Sequence, residues 1–269
     1  MGLLYTILSI ASKQIDSISI FSQSMKKNIP AAVILPANYN TDSLKHFPVI
    51  YMLHGYSGNF KGYIDNMLNI RQLADLHQVI LVCPDGGFNS WYFDSPKDET
   101  SKYDTHIAKE VVHYIDSSYR TIQKREFRAI IGLSMGGHGA LYLTIEHPDV
   151  FGIAGSMSGG VDFRDFSDSW EIYKKLGKYE KNKELWDHHV VLELCDHLPK
   201  KTPIIVDCGV KDFMINANRK LHAKLLSLNI DHTYIERPGD HNWNYWRIST
   251  KNQIEFVSNY FELQMNKSK

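Results

Sequence analysis

The chain has 269 residues, of which 43% are hydrophobic and 22% are charged, as is usual for a globular protein with a substantial core. Its 30 basic and 30 acidic residues give a formal net charge of zero, so no overall field favours binding to nucleic acid or to an acidic membrane surface. A net charge near zero favours self-association, which is compatible with a homo-oligomer. We interpret residues 1–269 as one α/β domain, because neither an internal repeat nor a linker divides them.

The cysteines and the start of the chain give information about the cellular compartment of the protein. Cys83, Cys195 and Cys208 are too few for a disulfide framework. Cys83 and Cys208 lie in apolar runs, so we expect free buried thiols there. The apolar residues 1–11 lack a basic leader and are too short to span a bilayer. We interpret them as a docking segment or a first strand in a cytoplasmic protein, with a trimmed export signal as the alternative.

Short apolar runs alternate with helical patterns along the whole chain. In chain order, strands are predicted over residues 17–21, 31–35, 48–53, 79–83, 127–131, 151–158, 202–208 and 232–237. Helices are predicted over residues 66–77, 105–119, 135–147, 215–228 and 244–261. Only a polar turn separates the first two strands, which indicates an antiparallel hairpin at a sheet edge. Because the later strands alternate with long helices, we predict a mostly parallel, doubly wound sheet with helices on both faces.

Residues 160–201 interrupt this alternation. They contain Trp170, Tyr173, Tyr179 and Trp186 among many charged side chains, and they show no clear strand pattern. The segment lies between two predicted strands whose carboxyl ends face the same edge of the sheet. We therefore predict a small cap-like insertion over a pocket at that edge.

The most informative motif joins the strand over 127–131 to the helix over 135–147. It is Gly132-Leu133-Ser134-Met135-Gly136, a Gly-x-Ser-x-Gly pattern between a strand and a helix. That context is typical of a nucleophile elbow, in which a serine occupies a strained turn. Gly132 and Gly136 allow this turn to close without a clash. Ser134 is therefore the predicted nucleophile.

A serine hydroxyl needs a base and a group that orients the base. In enzymes whose serine lies in a nucleophile elbow between a strand and a helix, the catalytic residues follow one another along the chain in the order serine, acid, histidine. Asp212 and His241 each follow a predicted strand in this order. Asp207 lies inside an apolar strand, where we expect it to form structural hydrogen bonds. Asp240, beside His241, is the less favoured alternative acid.

His138 is the main rival for the catalytic base. It lies in the first turn of the helix after Ser134, so its place along the chain does not fit the expected order. His241 instead begins the turn before the last helix. An oxyanion hole is predicted from the backbone N–H groups of Tyr56, in the loop after an early strand, and of Met135.

Other chemistries find little support in the sequence. Residues 187–189 and 195–197 combine metal-ligand types, but their spacing matches no zinc pattern. Neither a Gly-x-Gly-x-x-Gly motif nor a P-loop occurs. We therefore expect no metal and no cofactor at the site.

Several linked motifs, in the same order, resemble those of the esterase D-type family of α/β-hydrolases. The motifs are His54-Gly55-Tyr56-Ser57-Gly58-Asn59, Pro84-Asp85-Gly86-Gly87 with Ser90-Trp91-Tyr92, Gly132-Leu133-Ser134-Met135-Gly136-Gly137, His147-Pro148-Asp149-Val150-Phe151, Asp207-Cys208-Gly209 with Asp212, and His241-Asn242-Trp243. The resemblance implies an α/β-hydrolase fold and the triad Ser134, Asp212 and His241. The Ser90-Trp91-Tyr92 version is similar to the tributyrin and acetyl esterase and feruloyl esterase branch.

We therefore expect a serine carboxylesterase that hydrolyses short-chain or carbohydrate-linked acyl esters of acetyl or feruloyl type through an acyl-enzyme. Trp91, Tyr92 and Trp243 are expected to shape the substrate pocket, with packing in the core as the alternative for each. The competing functions are an S-formylglutathione-type thioesterase, an acyltransferase with the same triad, and a catalytically silent binding module.

Overall fold

The computed structural model describes residues 15–267, so the expectation for residues 1–11 lies outside the described residues. Within residues 15–267, eight strands form one sheet. The strands are β1 (Ile15–Ser22), β2 (Lys27–Ile34), β3 (Val49–Leu53), β4 (Ile80–Pro84), β5 (Arg128–Leu133), β6 (Ile153–Met157), β7 (Ile204–Gly209) and β8 (Thr233–Arg237). The strands agree closely with the sequence prediction, with ends that differ by a few residues.

The strand order across the sheet is β1-β2-β4-β3-β5-β6-β7-β8. β1 and β2 pair antiparallel and β2 pairs antiparallel with β4, whereas every pairing from β4 to β8 is parallel. The predicted edge hairpin and the predicted mostly parallel sheet are therefore both confirmed. Because parallel strands end at the same edge, the loops after β3, β5, β7 and β8 gather there.

The helices cover both faces of the sheet. They are α1 (Gly62–Asn66), α2 (Ile70–His77), α3 (Tyr103–Thr105), α4 (Val112–Ser118), α5 (Met135–Glu146), α6 (Ile172–Leu176), α7 (Lys183–Asp187), α8 (Val191–Leu194), α9 (Ile215–Ser227) and α10 (Trp243–Lys267), with a π-helical stretch (His106–Val111) between α3 and α4. α2 contacts α10 on one face, and α5, α8 and α9 lie in contact on the other. Among the described residues, no helix is long and apolar enough to cross a membrane.

Side chains that alternate along the central strands divide the core into two layers. In β3, Tyr51 packs in the layer with α5, whereas Ile50 packs in the layer with α2 and α10. All five residues of β3 are buried, as are all residues of β5. A parallel strand covered by helices on both faces has this continuous apolar pattern.

Three helices differ from their prediction. The helix expected over 66–77 begins only at Ile70, because Met67 adopts an extended backbone (φ −122°, ψ 92°) and buries its side chain; the separate helix α1 precedes it. The helix expected over 105–119 contains the π-helical stretch. The last helix extends to Lys267 and is longer than expected. None of these differences changes the sheet or the edge at which the loops meet.

Residues 160–201 form short helical segments, α6, α7 and α8, without a strand. Two interactions tie these segments together. The Arg164 guanidinium pairs with Asp162, Asp187 and Glu193. The buried indole of Trp186 donates to the Gly177 carbonyl over 2.9 Å. The segment also contacts α5 and α9 through α8, so it packs on the same face of the sheet as these helices.

Candidate active site

Ser134 occupies the turn between β5 and α5. Its backbone lies at φ 55° and ψ −118°, a strained conformation that residues other than glycine rarely adopt. Three hydrogen bonds hold this backbone: the Ser134 N–H donates to the Met157 carbonyl (2.9 Å), and the Ser134 carbonyl accepts from the N–H groups of His138 (3.1 Å) and Gly160 (3.2 Å). The hydroxyl therefore lies half-buried at the carboxyl edge of the sheet.

Close backbone packing makes this turn possible. A Cβ atom on Gly132 would overlap the backbone of Gly136, and one on Gly136 would overlap the carbonyl groups of Leu53 and His54. The first turn of α5 thus lies directly against the ends of β5 and β3. Any side chain larger than hydrogen at these two positions would separate the helix from the sheet.

Ser134, His241 and Asp212 form a continuous hydrogen-bonded chain. The two oxygens of the Asp212 carboxylate each lie 2.9 Å from His241 Nδ1. Because a carboxylate accepts, Nδ1 carries the proton and donates it to Asp212. His241 Nε2 is then the acceptor for the Ser134 hydroxyl, whose Oγ lies 2.8 Å away. The nucleophile, base and orienting acid of the sequence prediction thus lie within hydrogen-bond reach.

Asp212 and His241 are placed by the loops after β7 and β8. The Asp212 side chain is fully buried, and the Met214 N–H donates to its Oδ1 over 2.8 Å. His241 is 15% exposed and lies between two aromatic rings, with centroid distances of 4.3 Å to Phe213 and 5.0 Å to Trp246. These contacts hold the imidazole in line with Ser134.

The other two aspartates considered as the acid lie elsewhere. Asp207 is buried within β7, where its carboxylate accepts hydrogen bonds from Ser249 and from Gln253 (2.8 Å) on α10. Burial raises the pKa of Asp207. Asp207 therefore joins the sheet to α10, as the sequence analysis expected of it. Asp240 is exposed and does not take part in the chain of hydrogen bonds to Ser134.

His138 is enclosed in the core below the turn. Its two ring nitrogens face the carbonyl oxygens of Trp91 (3.0 Å) and His189 (2.8 Å), and its ring stacks on Tyr142. Burial lowers the pKa of His138 to about 4, so the ring is neutral near pH 7. The ring packs the elbow helix against the loop that contains Trp91.

The loop after β3 brings Tyr56 to the edge of the same pocket as Ser134. Among residues 15–267, the backbone N–H groups of Tyr56 and Met135 have no hydrogen-bond partner. The loop is ordered by His54, whose Nε2 accepts from the Gly86 N–H (2.8 Å) while Nδ1 donates to the Gly55 carbonyl (2.8 Å). Burial lowers the pKa of His54, which keeps the imidazole neutral for these two bonds.

A pocket of about 500 Å³ opens above Ser134 and His241. Its aromatic lining comprises Tyr56, Trp170, Phe213, Trp243 and Trp246, and its polar lining includes Asn59, Asp65 and Asn66. Trp243 thus lies where the sequence analysis expected a pocket residue. Trp170 comes from the 160–201 segment, which therefore contributes one wall.

Trp91 and Tyr92 do not lie where the sequence analysis expected them. Both are fully buried behind the pocket and outside its lining. The Tyr92 hydroxyl donates to the His54 carbonyl (2.9 Å), and Trp91 packs against Trp170. The Trp91 and Tyr92 side chains thus support pocket residues from below instead of facing a ligand.

The sequence analysis missed three aromatic residues of the lining, and it also missed Asp65 and Asn66 of α1. Phe213 directly follows Asp212, and Trp246 is three residues after Trp243 on the same helix. Both could have been predicted from their closeness in sequence to predicted site residues. Trp170 gave no such signal, because its approach to the pocket depends on the packing of the 160–201 segment.

Comparisons with known proteins identify relatives of this chain in sequence and in fold. The sequence model of the family described as "Putative esterase" matches residues 22–253. An acetyl esterase of Caldicellulosiruptor saccharolyticus is 28% identical over 91% of this chain and 98% of its own. A solved ferulic acid esterase superposes with a TM-score of 0.80 at 25% identity, covering 92% of this chain and 98% of that one. A Staphylococcus aureus S-formylglutathione hydrolase shares the fold, with a TM-score of 0.78 at 22% identity over 91% and 99% of the two chains.

The two glycine positions give a direct test of the packing at the turn. Gly136→Ala should lower the free energy of unfolding by about 1–3 kcal/mol or more, because the new methyl group overlaps backbone that cannot move aside. Urea unfolding followed by circular dichroism measures the change.

Gly62→Ala is the matched control for this test. A Cβ atom there meets only Trp243 at 3.7 Å, and the position lies in α1, so a gain of about 0.4–1 kcal/mol is expected. Equal stability of the Gly136→Ala and Gly62→Ala variants would contradict the described packing.

Proposed function

Since this chain belongs to the esterase family whose model matches residues 22–253, we propose that it hydrolyses carboxylic esters as a serine hydrolase with Ser134, His241 and Asp212 as its catalytic triad. The observation that carries the proposal is the hydrogen-bonded chain from the Asp212 carboxylate through the His241 imidazole to the Ser134 hydroxyl. A serine with this base and this orienting acid can act as a nucleophile at neutral pH.

The first half of the reaction forms an acyl-enzyme. Ser134 Oγ attacks the ester carbonyl carbon while His241 Nε2 takes the hydroxyl proton. Asp212 stabilises the resulting imidazolium and keeps its Nδ1 proton directed away from Ser134. The tetrahedral intermediate then collapses, the bond to the alcohol oxygen breaks, and His241 returns the proton to that oxygen.

The developing negative charge needs donors that are already in place. The backbone N–H groups of Tyr56 and Met135 are the proposed donors, which is supported by their lack of other partners within residues 15–267. Met135 begins α5, so the positive end of that helix adds to the stabilisation of the oxyanion. His54 and Tyr92 order the loop that presents the Tyr56 amide.

Water completes the cycle. His241 removes a proton from a water molecule, which attacks the acyl carbonyl, and Ser134 leaves with the proton that His241 returns. The pocket is open to solvent above His241, whose ring is partly exposed. Hydrolysis is therefore favoured over transfer to a second alcohol, because water reaches the acyl-enzyme freely.

The proposed substrates are short-chain or carbohydrate-linked acyl esters of acetyl or feruloyl type. Support comes from the acetyl esterase and ferulic acid esterase relatives, and from a pocket that combines aromatic side chains with uncharged amides. Aromatic rings stack on sugars and on phenolic acyl groups, and a few polar groups provide orientation.

The triad proposal predicts a specific order of losses. Ser134→Ala should reduce kcat on p-nitrophenyl acetate by about 10⁶, because the nucleophile is removed. Asp212→Asn should reduce kcat by about 10⁴, because the amide no longer selects the required histidine tautomer. Steady-state kinetics on folded protein measure both changes.

Asp240→Asn is the matched control, since it makes the same change in an exposed aspartate beside His241. It should retain near-native turnover. A large loss of kcat in Asp240→Asn together with a mild loss in Asp212→Asn would identify Asp240 as the orienting acid. Retention of more than a few per cent of the native kcat in Ser134→Ala would contradict the assignment of Ser134 as the nucleophile.

A comparison of four esters tests the substrate class. Methyl ferulate, an acetylated xylo-oligosaccharide, p-nitrophenyl acetate and S-formylglutathione are compared by kcat/KM, with Ser134→Ala as the background. We expect a Ser134-dependent preference for the ferulate or the acetylated sugar. Preference for S-formylglutathione would identify a thioesterase instead, and no Ser134-dependent turnover on any of the four would favour a binding module.

A further inference from the structure

The wall of the pocket formed by α1 lies on the side of His241. α1 is fixed to the start of α10, because Tyr63 packs edge-on against Trp243 (5.5 Å between centroids) and the Arg247 Nε donates to the Asn66 carbonyl over 2.7 Å. Trp243 in turn packs against Trp246, which contacts His241. A continuous aromatic contact thus connects the catalytic imidazole to α1.

This wall is available to the leaving alcohol. In the proposed reaction His241 returns its proton to the alcohol oxygen, so that oxygen is within hydrogen-bond reach of Nε2 when the ester bond breaks. The remainder of the alcohol extends from there along neighbouring surfaces of the pocket. Trp243 and α1 provide such a surface, with Asp65 on it.

Asp65 is the unusual residue of this surface. Asp65 lines the pocket and is exposed to solvent, and its carboxylate has no ion-pair or hydrogen-bond partner among residues 15–267. Among residues 15–267, no lysine or arginine lines the pocket to balance the negative charge of Asp65. Because the catalytic Asp212 is buried and paired with His241, the unpaired charge that a bound substrate meets is that of Asp65.

We propose that Asp65 determines the specificity for the alcohol part of the ester, favouring leaving groups that carry free hydroxyl groups and no negative charge. The inference rests on the proposed function and adds the alcohol class to it. An unpaired carboxylate accepts hydrogen bonds from hydroxyl groups, and the neighbouring Trp243 ring offers an apolar face to a sugar ring. An acidic leaving group, such as a thiol that carries carboxylates, is repelled by the same charge.

A pair of esters that differ in charge tests the repulsion. 4-Acetoxybenzoate and 4-acetoxybenzamide share the acetyl group and the phenyl ring, but only the first has a negatively charged leaving group. Asp65→Asn should shift the ratio of their kcat/KM values by about three- to fivefold towards the benzoate, because a partly screened repulsion is removed. The shift should diminish at high salt.

An acetylated xylo-oligosaccharide tests the attraction. In Asp65→Ala, kcat/KM on this ester, relative to that on p-nitrophenyl acetate, should fall about two- to tenfold because hydrogen bonds to the sugar hydroxyls are lost. Glu262→Gln is the control, because it removes an equal charge from an exposed position on α10 outside the pocket. In this variant the benzoate-to-benzamide ratio and the sugar-to-p-nitrophenyl acetate ratio of kcat/KM should both keep their native values.

The outcomes distinguish failure of the role proposed for Asp65 from failure of the proposed esterase function. If the native protein hydrolyses the acetoxy esters through Ser134 and both ratios are unchanged in the Asp65 variants, the role of Asp65 is overturned and the esterase proposal stands. Ratio shifts of the same size in Glu262→Gln would also overturn it, since the effect would then be one of overall charge. If no ester is hydrolysed through Ser134, the proposed function and this inference both fail.

Discussion

The site depends on one steric constraint, the contact between the first turn of α5 and the ends of β5 and β3. Only glycine at 132 and 136 permits it, and the contact holds Ser134 in a strained backbone conformation with a positive φ. Hydrogen bonds from Ser134 to Met157 and from Gly160 to Ser134 maintain this strained turn. As a result the hydroxyl is held at the carboxyl edge of the sheet, where the loops that carry Asp212 and His241 also end.

Two buried aspartates at the end of β7 differ in their partners. Asp212 faces His241 and accepts a backbone N–H, so its charge is matched by groups that serve the proposed chemistry. Asp207 faces the side chains of Ser249 and Gln253 and attaches α10 to the sheet. Since α10 begins next to His241 and carries Trp246, Asp207 helps to position the imidazole that Asp212 contacts.

Local patterns predicted the sheet, the order of its strands along the chain and the elbow, because each depends on residues that are near neighbours in sequence. That Ser134, Asp212 and His241 lie close together could be predicted because α/β topology brings the loops after particular strands to one edge of the sheet. The walls of the pocket were harder to predict. Trp91 and Tyr92 lie in a conspicuous aromatic loop yet pack inwards, whereas Trp170 approaches the pocket only through the fold of residues 160–201. Orientation of an aromatic side chain depends on tertiary packing, which no local pattern encodes.

The most direct test of this account is to identify the acylated residue during turnover. The native protein is mixed with p-nitrophenyl acetate, quenched in acid during the initial burst of p-nitrophenol and digested, and the peptides are analysed by mass spectrometry. The account predicts one acetyl group on the peptide that contains Ser134, at that residue, and none on this peptide in Ser134→Ala. Acetylation of a different residue in step with the burst, or a burst without an acylated peptide, would contradict it.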